Sequence, residues 1–499
     1  MYNNESKYSY YLSKTQEIGL VRELLYPIVL VEGLPGVSIS ELVYFDNDTT
    51  GFVTSLSDKY VEILLFDTKS VAVGSKVVRS GDSLSIPVGE VFLGKTIDSL
   101  GRPLSSKALI LDSAEKRLVD VPPAGISSRV KITQPFETGV TSVDLMIPLG
   151  KGQRELIIGD RKIGKSAFLL QTMLKQAKAG TIVIYASIGK TRVSVKQLEE
   201  FVTTFGISDK VIIIASSASD SLGSLYLTPY SAMTMAEYFR DKGQDTLVIL
   251  DDLSSHAKYY REVSLIAKKF PGREAYPGDI FYSHARLLER AGLFKIGSGS
   301  TAITCLPVAE TVESDISGYI QTNLMSITDG HIFFDSDLFK QGRKPAINHF
   351  LSVTRVGRQT QSKLRWGVNR ELFSFFTLLN KTQNFVHFGA ELNEGIKSTL
   401  DMGDRLISFF NQPIKVITSI KVQIFFYCLV WIGLFNKEDN EKINEIFIKL
   451  ANMYGTNLEF TKMIDDLVHE DEDFNVLLGK ISSKSNSLFD YVIKLYESK

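Results

Sequence analysis

"GDRKIGKSAF", Gly159–Phe168, is the stretch whose reading decides the fold. From Gly159 to Ser166 it satisfies G-x-x-x-x-G-K-[ST]. It lies between the apolar run "ELII" and the helical run "SAFLLQTMLKQAKA". Strand, glycine loop and helix in that order let backbone N–H groups wrap a chain of phosphates. The helix N-terminus adds a potential that favours negative charge. A chance glycine-rich turn is the alternative, and it would not need both flanks to be right. Gly159, Asp160, Arg161, Lys162, Ile163, Gly164, Lys165, Ser166 and Ala167 are therefore the expected nucleotide-binding residues. Lys165 is expected to bridge the terminal phosphates and the Ser166 hydroxyl to ligate Mg²⁺.

A second half of such a site stands in "DTLVILDDLS", where an apolar strand run ends in Asp251. A carboxylate at the C-terminal edge of a buried parallel strand is placed to hold the metal through water. The same aspartate could instead cap the next helix, and Asp252 reads as structural. Around these motifs "RELIIGD", "GTIVIYASIG", "KVIIIASSA" and "DTLVILDD" are continuous β-branched runs. Such runs suit parallel strands covered on both faces.

The rest of the chain divides by periodicity. Residues 1–17 read as a short polar segment, and residues 18–91 carry short β-type runs punctuated by Gly, Asp, Asn and Ser, as in a small sandwich or barrel. Residues 92–365 read as a nucleotide-binding α/β domain and residues 366–499 as helical, with Ile443, Phe447, Leu450 and Tyr454 at helical spacing. The fold class is thus multidomain α/β. "HEDED", His469–Asp473, reads as a solvated loop.

The 499 residues carry a formal net charge of -1, which gives no overall basic field for nucleic acid. Cys305 and Cys428 lack metal-ligand spacing, which suits a reducing compartment. The apolar run "IFFYCLVWIGLF", Ile424–Phe435, is too short to span a bilayer and reads as a buried core helix. No secretory signal is expected from the polar start, so a membrane role is expected only through partners.

Several long motifs in order resemble the alpha subunit of F-type ATP synthases. They are "GKGQRELIIGDRKIGKSA", "LDDLSSHAKYYREVSLI", "PGREAYPGDIFYSHARLLERA", "LPVAETVESDISGYIQTNLMSITDG" and "GRKPAINHFLSVTRVG". The resemblance implies an N-terminal β-barrel, a central RecA-like P-loop domain and a C-terminal helical domain. It implies ATP or ADP with Mg²⁺ as cofactors, and an alternating three-plus-three ring with catalytic beta subunits around a gamma-type shaft. The implied place is cytoplasmic, at the inner face of the cell membrane.

The resemblance also gives individual residues their expected roles. The catalytic beta partner carries a glutamate that orients the attacking water, and typical alpha subunits carry glutamine; here "YASIGKTRVS" places Lys190 there. A charged lysine has no lone pair to accept a proton, and losing a general base costs about 10²–10⁴ in rate. Lys190 is expected either to pair with a terminal phosphate or to point into solvent. Arg355 in "LSVTRVG" matches the arginine that reaches the neighbouring subunit's γ-phosphate, with Thr354 in place of serine. Gln153, Phe339, Lys344 and Gln412 match positions around the nucleotide, whereas Lys162 and Ile414 replace family glutamines.

Three other functions compete with this one, one of them a pure scaffold with an empty pocket, which the sequence does not exclude. An export-type active ATPase would carry glutamate at position 190. An RNA-translocating hexamer would need a basic, aromatic-rich barrel face, against which "VYFDNDTTGF" argues. Because residues 1–17 lack a sustained apolar stripe, they suggest an unusual anchor in place of the peripheral stalk, as in a specialised F-type-like ATPase.

Overall fold

The strands from Gly19 to Ser83 curl into a closed six-stranded antiparallel barrel. The order is Gly19–Leu25, Ile28–Glu32, Val61–Leu65, Thr50–Leu56, Glu41–Phe45 and Lys76–Ser83, closed where Gly19 faces Val77. Val29, Val31, Val43, Phe45, Val53, Ile63 and Val77 point inwards and form its core. A period of two puts these residues on one face of each strand, and closure removes the exposed edges. The computed structural model describes residues 6–67, 71–104, 114–387 and 393–497. Residues 1–5 of the polar segment, 105–113 of the expected nucleotide domain, and 388–392 and 498–499 of the expected helical domain lie outside the described residues, as do 68–70.

The polar N-terminal stretch is a helix, Lys7–Thr15, capped by Ser6. Nine residues are too few for a stable isolated helix. Packing on the barrel supplies the difference: the Tyr11 ring stacks on Tyr44 at 5.0 Å, and the Tyr11 hydroxyl donates to Asp82 at 3.1 Å.

The chain falls into two compact units, one drawn from Met1–Val130, Gly180–Glu310 and Ser317–Thr328, the other from Lys131–Ala179, Thr311–Ile316 and Asp329–Lys499. Besides the barrel, the first unit holds parallel strands in the order Gly299–Glu310, Thr246–Asp251, Ile182–Lys190, Val211–Ser217 and Thr96–Ile97. Gly292–Ile296 joins antiparallel beside Gly299–Glu310, which makes the sheet mixed. Its helices include Arg192–Thr204, Leu222–Asp241 and Leu253–Ile266. The strand Thr246–Asp251 is buried along its whole length, as its continuous apolar run requires.

In the second unit Glu155–Gly159 runs parallel to Gly330–Phe334, which pairs antiparallel with Val353–Thr354. From Lys363 onward the described residues are mainly helical. The helix Ile420–Trp431 is mostly apolar and buried except at Lys421 and Trp431, as expected of a central core helix. Phe409, Phe426 and Phe447 meet there, the Phe409 and Phe447 rings 4.7 Å apart edge to face. The acidic loop His469–Asp473 does more than meet solvent. Glu470 pairs with the buried Arg365, and Asp473 caps the helix Phe474–Ser483.

Candidate functional site

The glycine loop belongs to the second unit and is tied at both ends. A Cβ on Gly159 would meet the Phe334 carbonyl oxygen at 2.6 Å, so only glycine lets the two strands approach. Gly164 caps the helix Lys165–Lys178 with φ at 104°, a conformation that again favours glycine. Between them Asp160 accepts hydrogen bonds from the Thr311 hydroxyl at 2.6 Å, the Ser336 hydroxyl at 2.6 Å and the Ser314 N–H at 2.9 Å. Burial alone would raise the Asp160 pKa, but these hydrogen bonds hold it below the usual carboxylate value. Asp160 therefore staples the loop. The Lys165 ammonium is buried and donates to the Gly159 carbonyl at 2.6 Å, while Arg161, Lys162 and Ser166 are exposed.

A cavity of about 700 Å³ opens beside this loop. Lys162, Ile163, Gly164 and Ala167 line one side, and Phe339, Lys344, Gln412 and Ile414 another, so the expected base-pocket residues are brought to the loop. Gln412 forms wall only. Its amide donates to the Gly139 and Val416 carbonyls and accepts from both the backbone N–H and the hydroxyl of Thr141. With its donors and acceptor spent internally, Gln412 has a structural task that its sequence match did not reveal. Arg343 and Asn444 also line the cavity and were missed. The only signal for Arg343 was its place beside Lys344 in "GRKP".

Gln153 does not line the cavity. It is fully buried, accepts from the Gly150 N–H at 2.8 Å, and donates to Glu155 at 2.7 Å and to the Thr354 hydroxyl at 3.1 Å. The Thr354 hydroxyl also donates to the Pro148 carbonyl at 3.1 Å and accepts from the Gly357 N–H at 3.1 Å. Arg355 follows directly, its backbone N–H bonded to the Asp329 carbonyl and its side chain exposed. The base of Arg355 is thus held rigidly from below.

In the first unit, Asp251 and Asp252 stand beside Lys190. Asp252 caps the helix Leu253–Ile266 through the Ser255 N–H, so it is Asp252 and not Asp251 that takes the capping task. Pairing of Thr246–Asp251 with Ile182–Lys190 sets Asp251 opposite Ser187 and within reach of Lys190. The Lys190 ammonium lies 2.9 Å from Asp251 Oδ1 and 3.6 Å from Asp252 Oδ2, and the Tyr185 hydroxyl donates to Asp251 Oδ2 at 2.8 Å. Burial would lower the Lys190 pKa, but Asp251 and Asp252 push it above the ordinary lysine value. The expected partners were phosphate or solvent; in this structure Lys190 is ion-paired with two buried carboxylates.

The model of the nucleotide-binding domain of the ATP synthase alpha/beta family matches residues 139–354. ATP synthase subunit alpha of Mycoplasmopsis synoviae (strain 53) is 41% identical over 397 residues, which are 79% of this chain and 75% of the relative. The chain belongs to the F-type ATP synthase alpha subunit family. Its six-stranded barrel, central nucleotide-binding α/β region with a mixed sheet and C-terminal helices are the fold of that family. The matched span holds the glycine loop, Lys190 and Asp251 and stops at Thr354, one residue before Arg355. Among the described residues no helix is long and apolar enough to cross a membrane.

Mg²⁺ typically accompanies nucleotide in this family. The exposed Ser166 hydroxyl in the first turn after Gly164 fits such a metal. Asp251 does not fit as it stands, because one oxygen is paired with an ammonium and the other accepts from a phenol. No group of three or more metal-ligating side chains occurs among the described residues.

Proposed function

We propose that this alpha subunit holds ATP or ADP without hydrolysing it and lends Arg355 to a catalytic beta-type neighbour. The observation that carries the reading is the ion pair between Lys190 and Asp251. Hydrolysis needs a group that orients water and takes up its proton, and an ammonium that donates to Asp251 and is ion-paired with Asp252 offers no lone pair. The glycine loop, with Lys165 and Ser166, retains everything the motif needs to bind phosphates. Phe339 and Lys344, on the wall of the adjacent cavity, suit the base end of the nucleotide.

Arg355 is exposed at the end of a strand whose last residue is pinned by three hydrogen bonds at the Thr354 hydroxyl. A guanidinium presented that way suits a phosphate of a neighbouring subunit, in an alternating ring around a central shaft. Such a ring would sit at the inner face of the cell membrane through partner subunits. Purified alone, the full chain is expected to bind ATP in an equilibrium assay and release phosphate at a negligible rate. Steady phosphate release that disappears on Lys165→Ala would overturn the reading.

A further inference from the structure

We propose that the cavity beside the glycine loop seats a purine base without reading its edge, so that guanine and hypoxanthine nucleotides bind as readily as adenine ones. The inference rests on the nucleotide-holding reading above and names its substrate class. Every residue it uses belongs to the second unit. Adenine carries a 6-amino donor where guanine carries a 6-oxo acceptor, and a single side-chain amide can tell them apart by donating and accepting at once. Four such amides line the cavity: Gln171, Asn411, Gln412 and Asn444. Gln412 has spent both functions, as described above. Gln171 gives its amide hydrogens to the Gly139 and Val416 carbonyls at 3.1 and 2.7 Å, and Asn444 gives its own to the Ser408 and Asn411 carbonyls. The Asn411 side-chain oxygen accepts from the Lys344 N–H at 3.0 Å. In each of the four the paired donor and acceptor are therefore broken up before any base arrives.

What the wall does offer is indifferent to the base. Phe339 is 41% exposed and Ile414 43%, so an aromatic ring and an apolar side chain are open to a ligand. Stacking on a ring tolerates any base, because every base has a π-face. Arg343 and Lys344 bring donors only, and N7, which both purines carry, can accept from either. A cavity of about 700 Å³ has room for either purine. A site built to hydrogen-bond a distinguishing group rejects the analogue lacking it by about 10⁴–10⁵, whereas an apolar site has no such means.

The test is equilibrium dialysis of the full chain with radiolabelled ATP in excess Mg²⁺, competed by unlabelled ATP, GTP, ITP and tripolyphosphate. GTP and ITP are expected to displace the label at concentrations within about threefold of unlabelled ATP. Tripolyphosphate, which has no base to stack, is expected to be at least about tenfold weaker. Phe339→Ala, at a half-exposed position, is expected to weaken ATP and GTP by the same factor, at least about fivefold, and to leave tripolyphosphate unchanged. A difference of about tenfold or more between ATP and GTP, in either direction, overturns the proposal in the wild-type chain alone. A Phe339→Ala loss that is absent, confined to one base or shared by tripolyphosphate also overturns it. Failure to retain radiolabelled ATP at all overturns the nucleotide-holding reading itself.

Discussion

Replacing Gln153 by alanine should loosen the second compact unit by an amount that its hydrogen bonds allow one to work out. The Gln153 amide is fully buried and serves three partners: the Gly150 N–H, the Glu155 carboxyl and the Thr354 hydroxyl. Thr354 would keep Pro148 and Gly357, so it stays satisfied. Gly150 N–H loses its acceptor. Glu155 loses the donor on Oε2, and its Oε1 has no hydrogen-bond partner already. Each orphaned buried group costs about 1–3 kcal/mol, so the two together are worth on the order of 4 kcal/mol. That lies at the upper end for a single substitution. Both tryptophans, Trp366 and Trp431, belong to this unit, so urea unfolding followed by tryptophan fluorescence reports on it alone. A loss below about 0.5 kcal/mol, the size of an ordinary surface change, would refute the network as a stabilising element.

Two further expectations follow from the same corner of the fold. Burial pushes the Glu155 carboxyl well above its ordinary pKa, against the pull of Gln153 and Arg355 and with a push from Asp329. The folded state therefore holds this proton more tightly than the unfolded chain, and stability must fall as pH rises from about 4.3 towards the folded value. Glu155→Gln should remove a slope of about 1.4 kcal/mol per pH unit across that window, and unchanged slopes in the same fluorescence assay would rule it out. In an assembled ring, Arg355→Ala should lower ATP turnover by about 10³–10⁵ while leaving subunit composition and bound nucleotide unchanged. Near-normal turnover in correctly assembled rings would remove the trans-acting role.

What the sequence reveals here, and what it hides, divides by the range of the interaction. The glycine loop is legible because its geometry is local: Gly159 and Gly164 mark a close approach and a left-handed cap within one turn of chain. The strands are legible for the same reason, since burial on both faces demands the unbroken run in "TLVILD" and one-faced burial in the barrel demands alternation. The helix Lys7–Thr15 is not legible, because the Tyr44 ring that holds it lies thirty-three positions away in sequence and no pattern within the segment announces it. Gln412 is the clearest case of a residue in the expected place with an unexpected task. Its acceptor is spent on Thr141, 271 residues earlier, a pairing visible only once the second unit is folded.

Lys190 shows the same limit at the point that matters most for function. From sequence, a lysine where a base would stand rules out a proton acceptor but leaves its own partner open, because solvent, phosphate and carboxylate all accept an ammonium. The decision comes from strand register. Parallel pairing sets Ser187 against Asp251, and continuation of the strand past Ser187 brings the Lys190 side chain onto the carboxylates. A shift of one residue would turn that side chain to the other face of the sheet. The ion pair is thus a property of two strands and not of either motif, and on the reading proposed above it leaves this position without a group that would activate water.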